Sequence, residues 1–212
     1  MIASLGAETR AVAAKAVSLL LRYPEREVLA ALPALRAALP ELPERLAEPL
    51  SIVERHRAAG DPTTLAVEYV ELFDLRRRCC LHLSYYTAGD TRKRGEALLE
   101  FAAAYKATGF EVEGGELPDY LPAVLDLAAQ AGDAAWVLLR AHRIGLDLLF
   151  QALDASGSVY RHAVAAIIAL LPPPSRADLA AAVALARSGP PREEVGLQPF
   201  ALTSGSGRGG GR

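Results

Sequence analysis

YVELFDLRRRCCLHLSYYTAGDTRKRGEALLEFAAAYKATGFEVEGGELPDYL, residues 69–121, carries the cleanest periodicity in the chain. Leu98, Phe101, Ala102 and Tyr105 recur at i, i+3, i+4 and i+7, the spacing that lines one face of an α-helix. That helix is predicted over residues 91–108, with Asp90 before it as a cap and Gly109 closing it. Upstream, Leu65, Tyr69, Leu72 and Phe73 line a second apolar face. Its helix opens at Asp61-Pro62, because Asp is a favoured N-cap and proline suits the first helical position. Between the two the chain turns basic at Arg76, Arg77 and Arg78. A short amphipathic helix is expected over 79–86 before Gly89 breaks it. Beyond Gly109 a loop ends in Gly114-Gly115, and the next helix is expected from about 117 to 130.

Working outward, the same period recurs. Helices are expected over residues 7–22, 25–39, 44–58, 134–153 and 159–170, with a last one ending near Arg187. Pro33 should kink or split the second of these. Residues 134–153 read as the longest central helix. Strand-type alternation never extends beyond a few residues. The expected fold is all-α: a single-domain bundle of about ten helices over residues 1–190. Residues 191–212 are rich in Gly, Pro and Ser and read as a flexible, disordered tail.

Composition narrows the function classes. The 212 residues are 51% apolar, long enough for a core that needs no staples. Formal net charge is −2, which gives no basic excess for nucleic-acid binding. No apolar run is long enough to span a bilayer and no signal-peptide pattern opens the chain, so no membrane insertion is expected and the cytoplasm is the expected location. The two cysteines, Cys79 and Cys80, are adjacent, a poor arrangement for a structural disulfide and too few thiols for a closed zinc site.

Catalytic motifs are missing from the sequence. The four histidines are scattered, with no HExxH, no GxSxG and no phosphate loop. A carboxylate di-metal bundle would need Glu-x-x-His pairs on two helices, and none occurs. A helical ligand-binding regulator would need a basic recognition helix, which the first sixty residues lack. Neither metal nor cofactor is expected to be held here. Arg92 and Arg94 fall in the first turn of a helix, where the dipole disfavours cations, so they call for an anionic partner, internal or external. Glu111, Glu113 and Glu116 read as solvated. The tyrosines at 69, 85, 86, 105 and 120 fit either a core or a groove for an amphipathic peptide.

YVELFD with its basic run, LSYYTAGDTRKRGEALLEF and ELPDYLPAVLDLAA together resemble the NarJ-type nitrate reductase assembly chaperones, within the wider NarJ/TorD/DmsD group serving molybdenum enzymes. The motif-bearing match covers about residues 69–130, with weaker extensions to Leu20–Pro24 and Val195–Phe200. The resemblance implies a non-catalytic, cytoplasmic chaperone. It would hold the apo catalytic subunit of nitrate reductase by its N-terminal peptide until the molybdenum cofactor and iron–sulfur clusters are inserted. Cofactor-delivery proteins are further partners, and the chaperone would be a monomer or weak homodimer. A chaperone of another molybdenum enzyme is the alternative. The family's YxxxF[DE] motif falls on Tyr69, Phe73 and Asp74, and its G[DE]xRxRG motif on Gly89, Asp90, Arg92, Arg94 and Gly95. Its E-P-x-D-H motif falls on Glu116, Pro118, Asp119 and Tyr120, with Tyr120 in place of the histidine. The expected client groove is lined by Tyr69, Leu72, Phe73, Tyr85, Tyr86 and Tyr120, with Asp74, Arg92, Arg94 and Asp119 setting register by charge and Asp90, Glu116 and Pro118 completing the client-binding residues.

Overall fold

The computed structural model describes residues 5–112, 115–188 and 191. The expected flexible tail, apart from Pro191, and Gly114 of the glycine pair lie outside the described residues. Within them the chain is helical, with no strand beyond one isolated bridge. The helices are α1 (Ala7–Leu21), α2 (Arg26–Ala30), α3 (Leu32–Ala38), α4 (Glu44–Ala59), α5 (Pro62–Tyr69) and α6 (Leu83–Ala88). After them come α7 (Arg92–Thr108), α8 (Leu121–Ala131), α9 (Asp133–Ala141), α10 (Arg143–Ala155), α11 (Arg161–Ile168) and α12 (Arg176–Ser188).

The core is built on α1 and α8, the most extensively packed pair. Ala13, Ala14 and Val17 of α1 and Val124, Leu125 and Ala128 of α8 are fully or almost fully buried. Small residues on both helices let the backbones approach closely. Ser18 donates to the Pro122 carbonyl across this seam at 2.8 Å. Around the pair pack α4 through Leu46, Leu50 and Val53, and α11 through Ala163, Val164 and Ile167. Arg57 of α4, 1% exposed, donates to the Leu20 and Arg22 carbonyls at 2.6 and 2.7 Å. It thereby satisfies acceptors that the end of α1 leaves open.

The split at Pro33 is as expected; three other element boundaries differ from the sequence reading, and two of them trace to proline or to long-range pairing. Pro33 splits the second helix into α2 and α3 and sits in the first turn of α3, where its missing N–H costs nothing. The helix expected from 117 starts at Leu121 instead, which moves Pro122 into the tolerated first turn and leaves Pro118 in the preceding loop. The helix expected over 79–86 begins only at Leu83, because residues 80–82 are drawn into an extended bridge with Tyr120. The long helix over 134–153 breaks at His142, whose backbone leaves the helical region at φ −98° and ψ 21°. Beyond the break α10 runs against α6, with Gly145 so close that an added Cβ would stand 3.2 Å from the Leu83 carbonyl and from the Tyr86 ring.

Helix α5 starts where Asp61 predicts, its carboxylate accepting from the Thr64 N–H at 3.0 Å. It runs directly into a π-helical turn over Val70–Asp74. The wider turn keeps Leu72 and Phe73 buried and turns Leu75 out, 71% exposed, just before the basic run.

Candidate functional site

Two segments organise the site. Residues 80–83 and 119–121 meet as a short antiparallel bridge, with Leu83 N–H donating to the Asp119 carbonyl at 3.0 Å and Leu121 N–H to the Leu81 carbonyl at 2.8 Å. Pro118 and Pro122 keep the second segment extended by denying it a helical start. Because side chains alternate along an extended chain, Asp119 and Tyr120 face opposite ways.

Asp119 is fully buried. Its carboxylate accepts from the Ser84 N–H at 3.2 Å and from the Ser84 hydroxyl, and lies 3.0 Å from His82 Nδ1. The Ser84 bonds make it the N-terminal cap of α6, supplied from 35 residues away, in place of His82, which gives no side-chain cap bond. Burial by itself would raise the Asp119 carboxyl; hydrogen bonds from His82 and Ser84 outweigh it and hold the group below the ordinary carboxylate value. Arg94 reaches toward the same carboxylate at 4.0 Å and toward Asp90 at 3.3 Å. The partners that Arg94 called for are therefore internal carboxylates. Arg92 lies exposed on the surface.

Tyr120, on the other side, bonds through its hydroxyl to the hydroxyl of Tyr69 at 2.9 Å, and Tyr69 lies 3.2 Å from the Leu21 carbonyl. Burial, then the neighbouring Tyr120, pushes the Tyr69 hydroxyl far up. The ring of Tyr69 meets Tyr23 edge-on at 5.3 Å and Phe73 at 4.8 Å, and Phe73 meets Tyr160 at 5.2 Å.

The groove expected from sequence does not form as drawn. Tyr69, Leu72, Phe73, Tyr85 and Tyr86 are all under a tenth exposed, packed as core and not as an open surface. The YxxxF spacing puts Tyr69 and Phe73 on the buried face of α5 and its π turn, which explains why the motif needs those residue types. Tyr86 donates toward the Arg78 and Cys80 carbonyls at 3.0 and 2.8 Å, tying the basic turn to α6. Leu72 also edges a shallow cavity of about 360 Å³ beside the His56–Glu68 pair. Asp74 and Asp90 are exposed, Glu116 is exposed and Pro118 is half-buried.

Tyr120 alone of the predicted groove tyrosines reaches an open cleft. This cleft, about 480 Å³, lies between the start of α2, the end of α7 with its following loop, and α8. Tyr23, Val28, Tyr105, Phe110, Val112 and Tyr120 form its apolar wall. Glu25, Glu111 and Glu116 stand at its edge, and Arg22 pairs with Asp126 in its lining at 2.6 Å. Sequence reading singled out Tyr120 and Glu116, left Tyr105 open between core and groove, and missed the rest. The available signal was the carboxylate-dense loop following Phe110, set aside as solvated.

The thiols of Cys79 and Cys80 are both free, and burial pushes both up, which disfavours the nucleophilic thiolate. No group of three or more His, Cys, Asp or Glu side chains among the described residues is placed to hold a metal ion. No helix of the described residues is long and apolar enough to cross a membrane.

Comparison with known proteins supplies what the geometry does not name. A family model described as the nitrate reductase delta subunit matches residues 28–166. Over 164 residues the chain is 32% identical to the probable nitrate reductase molybdenum cofactor assembly chaperone NarJ of Bacillus subtilis, covering 76% of this chain and 89% of that one. It is 36% identical over 121 residues to the nitrate reductase molybdenum cofactor assembly chaperone NarJ of Escherichia coli, covering 54% of this chain and 50% of that one. It is also 44% identical over 118 residues to the nitrate reductase-like protein NarX of Mycobacterium tuberculosis, where it spans only 18% of that chain. A crystal structure from Archaeoglobus fulgidus, described as a redox enzyme maturation protein, shares the fold with a TM-score of 0.55 at 22% identity, covering 74% of this chain and 91% of that one.

Proposed function

The chain belongs to the nitrate reductase delta subunit family, and on that premise we propose that it is a dedicated assembly chaperone of nitrate reductase. It binds the apo catalytic subunit, holds its N-terminal peptide, and keeps the subunit open to molybdenum cofactor and iron–sulfur insertion. It leaves before the enzyme is complete and works in the cytoplasm. The observation that carries this reading is the similarity to the Bacillus subtilis assembly chaperone, which runs along 89% of that protein. The cleft beside Tyr120 supports it physically, being concave, walled by aromatic rings and open to solvent, as a peptide seat must be. Neither a bound cofactor nor a catalytic step enters this account, since holding a peptide needs only apolar burial and charge matching.

Deletion of the gene tests it. Catalytic subunit purified from the deletion strain should carry little molybdenum by elemental analysis, and the wild-type chain should restore it. Full molybdenum occupancy without the chain would overturn the reading. Pull-down of apo but not of cofactor-loaded subunit is the companion result.

A further inference from the structure

Beyond α12 the chain returns to the basic turn between the π-helical segment and α6. The Pro191 carbonyl lies so close over Gly89, which ends α6 at φ 59°, that a Cβ on residue 89 would collide with it. Asp90, the next residue, lies 3.9 Å from Arg77, with both side chains largely exposed. Arg77 belongs to the exposed run Leu75-Arg76-Arg77-Arg78, and Lys93 in the first turn of α7 is exposed as well. Arg76, Arg78 and Lys93 have no carboxylate within 4.0 Å among the described residues. Leu75, 71% exposed, stands bare beside these cations. The sequence that leaves Pro191 is complementary to this surface. After Arg192 come Glu193 and Glu194, the only acidic residues beyond Asp178, and then Val195, Leu197 and Phe200. At about 3.5 Å per residue, Glu194 reaches about 10 Å from Pro191, which takes in the tip of Arg77 beside Asp90. Phe200 reaches about 30 Å by the same measure, enough to pass Leu75, two residues before Arg77.

We infer that residues 193–200 of this chain dock on that turn as its own ligand, with Glu193 and Glu194 pairing to Arg77, Arg78 and Lys93 and the apolar residues after them covering Leu75. The charge order fits the path: the two glutamates come first, where Pro191 delivers the chain beside Asp90 and Arg77, and the apolar residues follow, where Leu75 lies. Exposed ion pairs are individually weak, so the contact depends on several acting together with Leu75, and it is salt-sensitive. The short tether offsets that weakness, because a segment held a few residues from its seat faces it at an effective concentration on the order of millimolar. In the free chain the basic turn is therefore covered, and an acidic partner takes it only by displacing the tail.

Photo-crosslinking in the full chain tests this, with p-benzoylphenylalanine in place of Phe200. Equal amounts of ordinary and nitrogen-15-labelled chain are mixed before irradiation, so that mass spectrometry of the digest separates cross-links within one chain from those between two. The expected product is an intrachain cross-link to the turn over residues 74–80. Glu193→Lys/Glu194→Lys, which changes only the tail, should lower its yield about threefold to tenfold. Adding Arg77→Glu/Arg78→Glu/Lys93→Glu to that variant should restore the yield, the non-additivity expected of direct partners. Raising salt from about 0.1 M to about 1 M, which shortens the Debye length from about 10 Å to about 3 Å, should reproduce much of the loss. A yield that the tail variant leaves unchanged overturns the inference. So do intrachain cross-links that fall elsewhere, the cleft beside Tyr120 included, and cross-links found only between chains, which would make the occupant a second copy. None of these outcomes touches the chaperone reading, on which the inference does not rest.

Discussion

Asp119 and Tyr120 are adjacent in sequence and belong to opposite environments. On the Asp119 side the carboxylate is fully engaged: completely buried, it caps α6 through Ser84, meets His82 and faces Arg94. On the Tyr120 side the carboxylates of Glu25, Glu111 and Glu116 have no cation partner among the described residues and stand at an open cleft. The difference separates two uses of acidic residues in one protein. A buried carboxylate is structural because removing it strands its donors, whereas exposed ones cost the fold little and are free to meet something outside it. Tyr69 belongs to the Tyr120 side, held by its bond to Tyr120 and by its seat in the aromatic core.

The comparison breaks most visibly at Asp119. Asp119→Ala leaves the Ser84 N–H and hydroxyl, His82 and part of Arg94 without their anion, and should lower stability by about 3–5 kcal/mol, read from urea unfolding. A loss near that expected for a surface substitution would mean the knot is not structural. The pH dependence is the next largest effect. Because the folded carboxyl lies below its ordinary value, its contribution is fully present above about pH 4 and is lost as pH falls through the folded value. The stability gap between wild type and Asp119→Asn should therefore be widest above about pH 4 and close below it. A gap that widens on acidification would show that the carboxyl is held protonated instead.

Much of this fold was legible. Regular spacing of Leu, Ala and aromatic residues marked the helices, and Gly109 and Asp61 marked ends that the backbone confirms, with Gly109 at φ 74° and Asp61 capping through Thr64. What stayed hidden depended on partners distant in sequence. Nothing local to Asp119 says that Ser84 and His82, 35 and 37 residues earlier, will meet it. Nothing local to residues 80–82 says that they will be extended, since their pairing with Tyr120 outweighs a helical pattern. The break at His142 carries no proline, and beyond it Gly145 lies close against α6. The site was half legible for the same reason. Motif spacing singled out Tyr69, Phe73, Asp119 and Tyr120, but period alone cannot tell which face of an aromatic helix meets core and which meets solvent. Tyr69 and Phe73 went to the core, and the cleft wall came from Tyr105 and Phe110.

Tyr69→Phe sharpens the comparison on the Tyr120 side. The ring stays, so the contacts with Tyr23 and Phe73 persist, but the hydroxyl of Tyr120 and the carbonyl of Leu21 lose a partner. Stability should fall by about 1–2 kcal/mol in thermal or urea unfolding. Peptide affinity should fall as well, since Tyr120 is then free to rotate in the cleft wall. A variant as stable as wild type would show that water replaces the hydroxyl.

The smallest effect is the most discriminating. Glu25→Gln/Glu111→Gln/Glu116→Gln makes the same chemical change as Asp119→Asn, a carboxylate to an amide, at three positions instead of one. If the rim serves only an external partner, the fold should barely register it. Each glutamate is exposed and lacks an ion pair among the described residues, so stability should stay within about 0.5 kcal/mol of wild type. A slight gain is the expected sign, because neutralising like charges gathered at one opening removes their mutual repulsion. A clear loss would mean that these carboxylates hold the loop following α7 in place, and the contrast between a structural acid and a recognition acid would then collapse into one of degree.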